Sequence, residues 1–156
     1  MKLATLCYLK QNGKTLFLFR GKRENDIHLG KWNGLGGKFE PGESPEECAK
    51  REILEESGYQ AEKLILKGFI TFPKFAKNED WYVFVFKVTE FSGEMLNSKD
   101  IPEGTLEWID DSRISALPMW EGDSIFLQWL DKPGQFSGKF CYENGKLISH
   151  ESAFYN

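Results

Sequence analysis

Apolar residues recur in short, strand-length runs along most of the chain, a pattern typical of β-structure. Residues 3–10 and 15–20 form the first two runs, and Asn12-Gly13 between them is a strong hairpin signal. Residues 81–91 carry apolar side chains on both faces, which predicts a central strand covered on both sides. The other strand-like runs are 64–72, 105–109, and a closing hairpin at 139–142 and 146–148. The segment 21–37 is rich in charges and glycines and is predicted to be a long functional loop.

Two segments have helical patterns. Ser44-Pro45-Glu46-Glu47 has the pattern of a capping box, with Ser44 as the N-cap and Glu47 as its partner. Gly58 is predicted to end this helix, and residues 123–130 carry apolar side chains at helical spacing. Because strands outnumber helices, the pattern predicts an α/β domain with a mixed sheet sandwiched between helices.

The length and net charge of the chain indicate a single domain and argue against a dedicated nucleic-acid-binding protein. The chain has 156 residues, the size of a single domain, and we assign residues 1–156 to one domain. Its 20 Lys and Arg against 24 Asp and Glu give a net charge of −4, without the basic footprint of a dedicated nucleic-acid binder. A small polyanionic substrate would therefore need a metal ion or a local basic patch.

Cysteine usage and hydropathy predict the compartment. The three cysteines are widely spaced with no CxxC pair, which favours a reducing environment. No run approaches the roughly 20 apolar residues that span a bilayer. We therefore expect a cytoplasmic protein, monomeric or homodimeric, with no membrane partner and no nucleic acid as main partner.

Three carboxylates cluster in the predicted helix: Glu52, Glu55 and Glu56 share one face. One interpretation is a solvated acidic face. However, the three carboxylates repel one another and oppose the helix dipole in its last turn, and a hard divalent cation would compensate for both effects. Gly36-Gly37 before the helix would let the backbone approach a ligand and a carbonyl join a metal shell. Mg²⁺ is the cation that best fits a few carboxylates together with substrate phosphates, and Mn²⁺ is an alternative.

The glycines and carboxylates follow a known motif over residues 37–59. The chain reads Gly37, five residues, Glu43, seven residues, then Arg51-Glu52-Ile53-Leu54-Glu55-Glu56-Ser57-Gly58-Tyr59. This resembles the Nudix box, GX5EX7REUXEEXGU, where U is a bulky aliphatic residue. Tyr59 is the single departure, and it is still bulky and largely apolar.

The resemblance implies a Nudix α/β/α sandwich and Mg²⁺-dependent hydrolysis of nucleoside diphosphates linked to another group. It further implies that Glu52, Glu55 and Glu56 hold metal and act in catalysis, with a carbonyl of Gly36 or Gly37. Arg51 would orient a carboxylate.

The flanking segments 30–38 and 119–124 resemble the MutT-type subgroup, which hydrolyses oxidised purine nucleotides such as 8-oxo-dGTP to 8-oxo-dGMP and pyrophosphate. This implies that Asn33 and Asp123 read the purine edge and that Trp120 forms an aromatic wall. The alternatives are a turn residue at 33, a helix N-cap at 123 and a core residue at 120. A close relative in this subgroup has two adjacent aspartates where this chain has Gly122 and Asp123.

Further residues and other activities stay open. The resemblance places Glu103 as an additional metal ligand or base, and Arg23 and Lys38 near the phosphates; each is otherwise an ordinary surface charge. Other Nudix substrates are ADP-ribose, dinucleoside polyphosphates and capped RNA, and Pro73 lies near where ADP-ribose hydrolases often carry a proline. A ligand sensor without catalysis is the non-enzymatic alternative, and His28 receives no role.

Overall fold

A computed structural model describes all of residues 1–156. The elements in chain order are β1 (Lys2–Gln11), β2 (Lys14–Arg20), β3 (Lys31–Asn33), α1 (Pro45–Ser57), β4 (Gln60–Ala76), β5 (Glu79–Ser92), β6 (Thr105–Asp110), α2 (Glu121–Phe126), β7 (Gln135–Glu143) and β8 (Lys146–Tyr155). Short 3₁₀ helices cover Ser98–Asp100, Asp111–Ala116 and Leu127–Trp129. Neither α-helix has the length and apolar character that crossing a membrane requires.

The strands form one mixed sheet of eight strands in the order β3-β2-β1-β5-β4-β7-β8, with β6 also paired to β2. The β1–β5 and β4–β7 pairs are parallel, and the other pairs are antiparallel. β5 lies between β1 and β4, which confirms the predicted central strand. The mixed sheet with few helices also confirms the predicted fold class.

Helix α1 begins and ends where the sequence predicts. The Ser44 side chain accepts a hydrogen bond from the Glu47 amide at 3.1 Å, and the Glu47 carboxylate accepts one from the Ser44 amide at 2.9 Å. Gly58 adopts a left-handed φ of 83° and its N–H donates to the Leu54 carbonyl. These caps satisfy backbone groups that a helix terminus otherwise leaves unpaired.

Several elements differ from the sequence prediction. The second predicted helix, residues 123–130, instead begins at Glu121 and ends at Phe126, and a 3₁₀ helix follows at Leu127–Trp129. Residues 31–33 form strand β3 within the predicted loop, because they pair with the end of β2 and place Asn33 opposite Leu18. Strand β4 extends to Ala76, and the closing hairpin extends from Gln135 to Tyr155. Cross-strand pairing sets the limits of these strands, and such pairing has no local sequence pattern.

The core forms two clusters on opposite faces of the sheet. Along β1, Tyr8 belongs to one cluster, with Phe126 of α2, while Cys7 and Leu9 belong to the other, with Ile53 of α1. Because successive side chains of a strand point to opposite faces, α1 and α2 pack on opposite sides of the sheet. Because β1 pairs with β2 only at Lys10 and Gln11, the first part of β1 is free to bridge to the segment 35–38, at Ala4–Lys38 and Cys7–Leu35.

Candidate active site

The segment around the two glycines runs along β1. The Cys7 amide donates to the Leu35 carbonyl at 2.6 Å, and the Thr5 amide donates to the Gly37 carbonyl at 2.9 Å. Gly36 has a φ of 144°, and a Cβ there would overlap the Thr5 carbonyl oxygen. Only glycine therefore fits at position 36, and the segment lies directly against the strand.

Two of the three helical carboxylates meet this glycine segment. The Gly36 amide donates to Glu56 Oε1 at 2.8 Å. The Glu52 carboxyl group lies against Gly37, where a Cβ would be 2.6 Å from Glu52 Cδ. The structure thus brings together Glu52, Glu56 and the backbone of residues 36 and 37.

Arg51 donates hydrogen bonds to three acidic side chains, Glu43, Glu52 and Glu55. Its Nε and Nη2 donate to the two carboxylate oxygens of Glu43 at 2.6 and 3.0 Å. Its Nη1 donates to Glu52 Oε1 at 2.8 Å and to Glu55 Oε2 at 3.3 Å. Its Nη2 also donates to the Lys38 carbonyl. A bidentate guanidinium pair has a defined geometry, so Arg51 orients Glu52 relative to Glu43 and the loop.

Burial makes ionisation of the inner carboxylates unfavourable. Burial raises the pKa of Glu56 to about 8, opposed by the Gly36 amide and reinforced by the charge of Glu52. Burial also raises the pKa of Glu52, and the hydrogen bond from Arg51 opposes that rise. A neighbouring cation would favour the charged form of both groups.

The donor set fits a hard divalent cation, because it consists of carboxylate oxygens and the backbone carbonyls of Gly36 and Gly37. No three acidic side chains stand together as a ready coordination sphere. On the helix, the Glu55 side chain is 59% exposed and its carboxylate pairs with Arg51.

The three weaker candidates lie around this centre. Arg23 Nη2 is 3.7 Å from Glu103 Oε1, so these two candidates form an ion pair with each other. The charge of Glu103 also contributes to the raised pKa of Glu56, which places it within electrostatic reach. The Lys38 ammonium lies 5.7 Å from the Trp81 ring centroid, at the edge of the same region.

A cavity of about 190 Å³ opens from the glycine segment into the molecule. Gly36 and Gly37 are among its lining residues. Its polar lining side chains are Thr5, Arg20, His28, Asn33, Asp123 and Tyr142, and its aromatic lining side chains include Phe72, Phe75, Trp81 and Trp120. A mostly apolar cavity with a few polar groups is typical of a small-molecule site.

Asn33 and Asp123 are two of the three buried polar side chains of this cavity, with exposed fractions of 8% and 6%; the third, Thr5, is hydrogen-bonded to Cys48 Sγ. The Asn33 amide makes one long contact, 3.5 Å to the Lys31 carbonyl. Burial raises the pKa of Asp123 to about 7. Trp120 occupies the N-cap position of α2, so Asp123 is not the helix cap. Both side chains therefore have hydrogen-bonding capacity available to a ligand.

Trp120 belongs to an aromatic cluster on the cavity wall. Its indole Nε1–H donates to His28 Nδ1 at 2.7 Å. The Lys31 ammonium lies 4.6 Å from its ring centroid, and Phe75 and Tyr142 pack edge-on against it at 5.0 and 5.3 Å. These contacts hold the indole ring in one orientation.

Sequence reasoning did not single out His28, Tyr142, Phe75 or Arg20 as a binding group. His28 contacts Trp120 across 92 positions of the chain, and Tyr142 contacts Gly122 across 20. Arg20 Nε donates to Asp26 Oδ2 at 2.7 Å and its charge lowers the pKa of Glu56. No spacing within a single element could have indicated these contacts.

The family model described as NUDIX domain matches residues 1–130. The chain belongs to the Nudix family. Members of this family act on nucleotide substrates and generally need divalent metal ions. The C-terminal hairpin β7–β8, which supplies Tyr142 to the cavity, lies beyond the matched residues.

Relatives with named activities cover nearly the whole chain. The oxidized purine nucleoside triphosphate hydrolase of Danio rerio is 32% identical over 147 residues, which cover 94% of this chain and 90% of that protein. The Mus musculus protein of the same name is 30% identical over the same shares. The crystal structure of the MutT protein of Bacillus halodurans is 35% identical, with a TM-score of 0.84 and 97% of each chain covered.

Proposed function

We propose that this Nudix hydrolase is a Mg²⁺-dependent pyrophosphohydrolase of oxidised purine nucleoside triphosphates, converting 8-oxo-dGTP to 8-oxo-dGMP and pyrophosphate. One observation carries the proposal: a single cavity joins the glycine segment beside Glu52 and Glu56 to the buried polar pair Asn33 and Asp123. The names of the relatives from Danio rerio and Mus musculus support this substrate class. The activity removes oxidised nucleotides from the precursor pool.

At the inner end of the cavity, the base would lie against Trp120. Stacking of a base on an aromatic ring contributes about 1–3 kcal/mol and does not select among bases. Selection falls to the polar groups: the Asn33 amide both donates and accepts, and the Asp123 carboxyl accepts when ionised and donates when protonated. Because burial raises the pKa of Asp123 to about 7, both forms are accessible near neutral pH.

At the outer end, the triphosphate would lie over Gly36 and Gly37. Glu52, Glu56 and a glycine carbonyl would hold a divalent cation, which when bound supplies positive charge to the phosphates and activates water. In the metal-free protein the raised pKa keeps Glu56 largely protonated near neutral pH, and a bound cation would favour the ionised form that can hold metal. Water attacks one of the two phosphorus atoms of the α–β phosphoanhydride: its hydroxyl joins that phosphorus, its other proton passes to a base, the bridging P–O bond breaks, and the products are 8-oxo-dGMP and pyrophosphate.

Only one carboxyl group, that of Asp123, would face the nucleobase, which favours a narrow substrate range. Gly122 precedes Asp123 and carries no side chain, so a second carboxylate is absent there. Two neighbouring carboxylates would divide their pKa values and present more protonation patterns than one does. We therefore expect a stronger preference for 8-oxo-dGTP over 2-hydroxy-dATP than a site with two aspartates would have.

A substrate panel tests the proposal. Initial rates in Mg²⁺ are compared for 8-oxo-dGTP, 2-hydroxy-dATP, dGTP, ADP-ribose and diadenosine tetraphosphate. We expect the highest kcat/KM for 8-oxo-dGTP. A higher value for ADP-ribose or the dinucleotide would reject the proposed substrate, and binding without turnover on every compound would instead indicate a ligand sensor.

The choice of Mg²⁺ over Mn²⁺ is tested by repeating the panel with each metal. The metal roles of the glycines and glutamates stay predictions, as do the substrate contacts; the residues concerned are Gly36, Gly37, Glu52, Glu55, Glu56 and Glu103 for metal and Arg23, Asn33, Lys38, Trp120 and Asp123 for substrate. The cytoplasmic location and the monomeric or homodimeric state also stay predictions.

A further inference from the structure

Tyr142 lines the cavity from the C-terminal hairpin, outside the residues that match the Nudix family, and contacts Trp120, against which the base is proposed to lie. Its hydroxyl oxygen accepts a hydrogen bond from the Gly122 amide at 2.7 Å. Its ring packs against Trp120 and Phe75 at centroid distances of 5.3 and 5.5 Å. The hydrogen bond and the ring contacts together define the position of the hydroxyl.

Gly122 provides the space for this hydroxyl. A Cβ at position 122 would lie 2.7 Å from Tyr142 Oη and 2.8 Å from Phe140 Cδ1. Any other residue there would have to displace the tyrosine or the phenylalanine. The pairing of a glycine at 122 with a tyrosine at 142 thus places a neutral polar group next to the backbone of Asp123.

The hydroxyl still has a hydrogen bond to give. A tyrosine hydroxyl carries one donor and two acceptor lone pairs, and the bond from Gly122 uses one lone pair. The proton of Tyr142 has no acceptor within the protein. Burial, reinforced by the charge of Asp123, raises the pKa of Tyr142, so the hydroxyl keeps this proton at physiological pH.

We propose that Tyr142 is a specificity-determining residue whose hydroxyl donates a hydrogen bond to a carbonyl oxygen on the edge of the bound purine. The inference rests on the proposed function and adds a third polar group to Asn33 and Asp123. A purine that presents an amino group can use only the remaining lone pair and leaves the hydroxyl proton unpaired, and unpaired buried groups disfavour the wrong ligand. The hairpin β7–β8 therefore contributes to the choice of base.

The test compares nucleotide binding by the wild type and by Tyr142→Phe, a substitution that removes only the hydroxyl. Calorimetry measures the Kd of four nucleoside monophosphates in metal-free buffer: 8-oxo-dGMP, with carbonyls at positions 6 and 8; dGMP, with position 6 alone; 8-oxo-dAMP, with position 8 alone; and dAMP, with neither. Tyr155→Phe is the matched control, because Tyr155 lies on the same hairpin and is 61% exposed. Melting temperatures of all variants are measured alongside.

We expect Tyr142→Phe to weaken the binding of 8-oxo-dGMP by about 3- to 10-fold, the value of one neutral hydrogen bond. For nucleotides without the purine carbonyl that accepts from Tyr142, dAMP among them, the Kd changes by less than about 2-fold. Tyr155→Phe leaves all four Kd values unchanged. Equal weakening of all four ligands would overturn the inference, because it would show a merely structural role. Unchanged binding in Tyr142→Phe, or no nucleotide binding by the wild type, would also overturn it.

The binding arm separates this inference from the proposed function. Selective weakening in Tyr142→Phe, together with a wild type that binds nucleotides and hydrolyses none, would support base reading and reject the proposed activity. Turnover of 8-oxo-dGTP by the wild type, with no change in base preference in Tyr142→Phe, would support the proposed activity and reject base reading by Tyr142.

Discussion

Replacing Glu56 by glutamine keeps the shape of a buried side chain and removes its charge. The amide oxygen of glutamine can still accept the hydrogen bond that the Gly36 amide gives to Glu56 Oε1. The variant thus isolates the cost of ionising this group in the folded, metal-free protein. We expect a lower kcat, by at least about 10²-fold, and a higher stability without metal.

The pKa of Glu56 gives the size and the pH range of the stability change. Burial raises this pKa from an ordinary 4.5 to about 8. Below pH 4.5 the group is protonated in both the folded and the unfolded protein and has no effect on stability. As the pH rises toward 8, the unfolded chain ionises more readily than the folded one, so the folded wild type loses stability. At pH 7 the loss is about 3 kcal/mol, from roughly 1.4 kcal/mol per pH unit above the ordinary pKa.

Thermal melts in EDTA between pH 5.5 and 8 measure this effect. For a domain of this size, about 3 kcal/mol corresponds to a rise in Tm of roughly 6–12 °C for Glu56→Gln at pH 7. The rise should shrink toward pH 5.5. Glu62→Gln is the matched control, because Glu62 is exposed on β4 and should show no such dependence. A Tm for Glu56→Gln at or below that of the wild type at pH 7 would refute the reasoning.

Three further predictions concern single contacts in the site. Gly37→Ala places a Cβ against the Glu52 carboxyl group, so kcat should fall by at least about 10-fold while the Tm stays near that of the wild type, measured by steady-state rates and melts. Asp123→Asn removes a carboxyl whose pKa is raised by burial from 3.8 to about 7, so it should raise the metal-free Tm at pH 8 and leave it nearly unchanged at pH 4. His28→Phe removes the acceptor for the Trp120 indole and should raise KM by about 3- to 10-fold with little change in kcat, whereas His28→Asn, which keeps an acceptor, should lie closer to the wild type. Equal KM values for the two His28 variants would contradict the positioning role of this hydrogen bond.

The sequence predicted the part of the site that lies within local motifs. The capping box at Ser44 and Glu47 and the left-handed Gly58 set the ends of α1, and the spacing within α1 places its glutamates on one face. The Nudix resemblance implied that Gly36 or Gly37 lies beside these glutamates, and the structure shows that hydrogen bonds with β1 hold the glycine segment in place. Only the helix ends and the glutamate spacing follow rules that act over a few residues.

The base end of the cavity was only partly predictable. Asn33, Trp120 and Asp123 came from the resemblance, and the structure places all three around one cavity. His28 and Tyr142 come from a charged loop and an extended hairpin, and their partners lie far away along the chain. Tertiary packing alone brings them to the site, so no periodicity or motif in the sequence marks them.

The product of one reaction tests the account most directly. Wild type and Glu56→Gln are incubated with 8-oxo-dGTP and Mg²⁺, and the products are separated and quantified. The account predicts 8-oxo-dGMP and pyrophosphate in equal amounts from the wild type, no turnover in EDTA, and a rate at least about 10²-fold lower in Glu56→Gln. Release of 8-oxo-dGDP and inorganic phosphate, or an undiminished rate in Glu56→Gln, would contradict it.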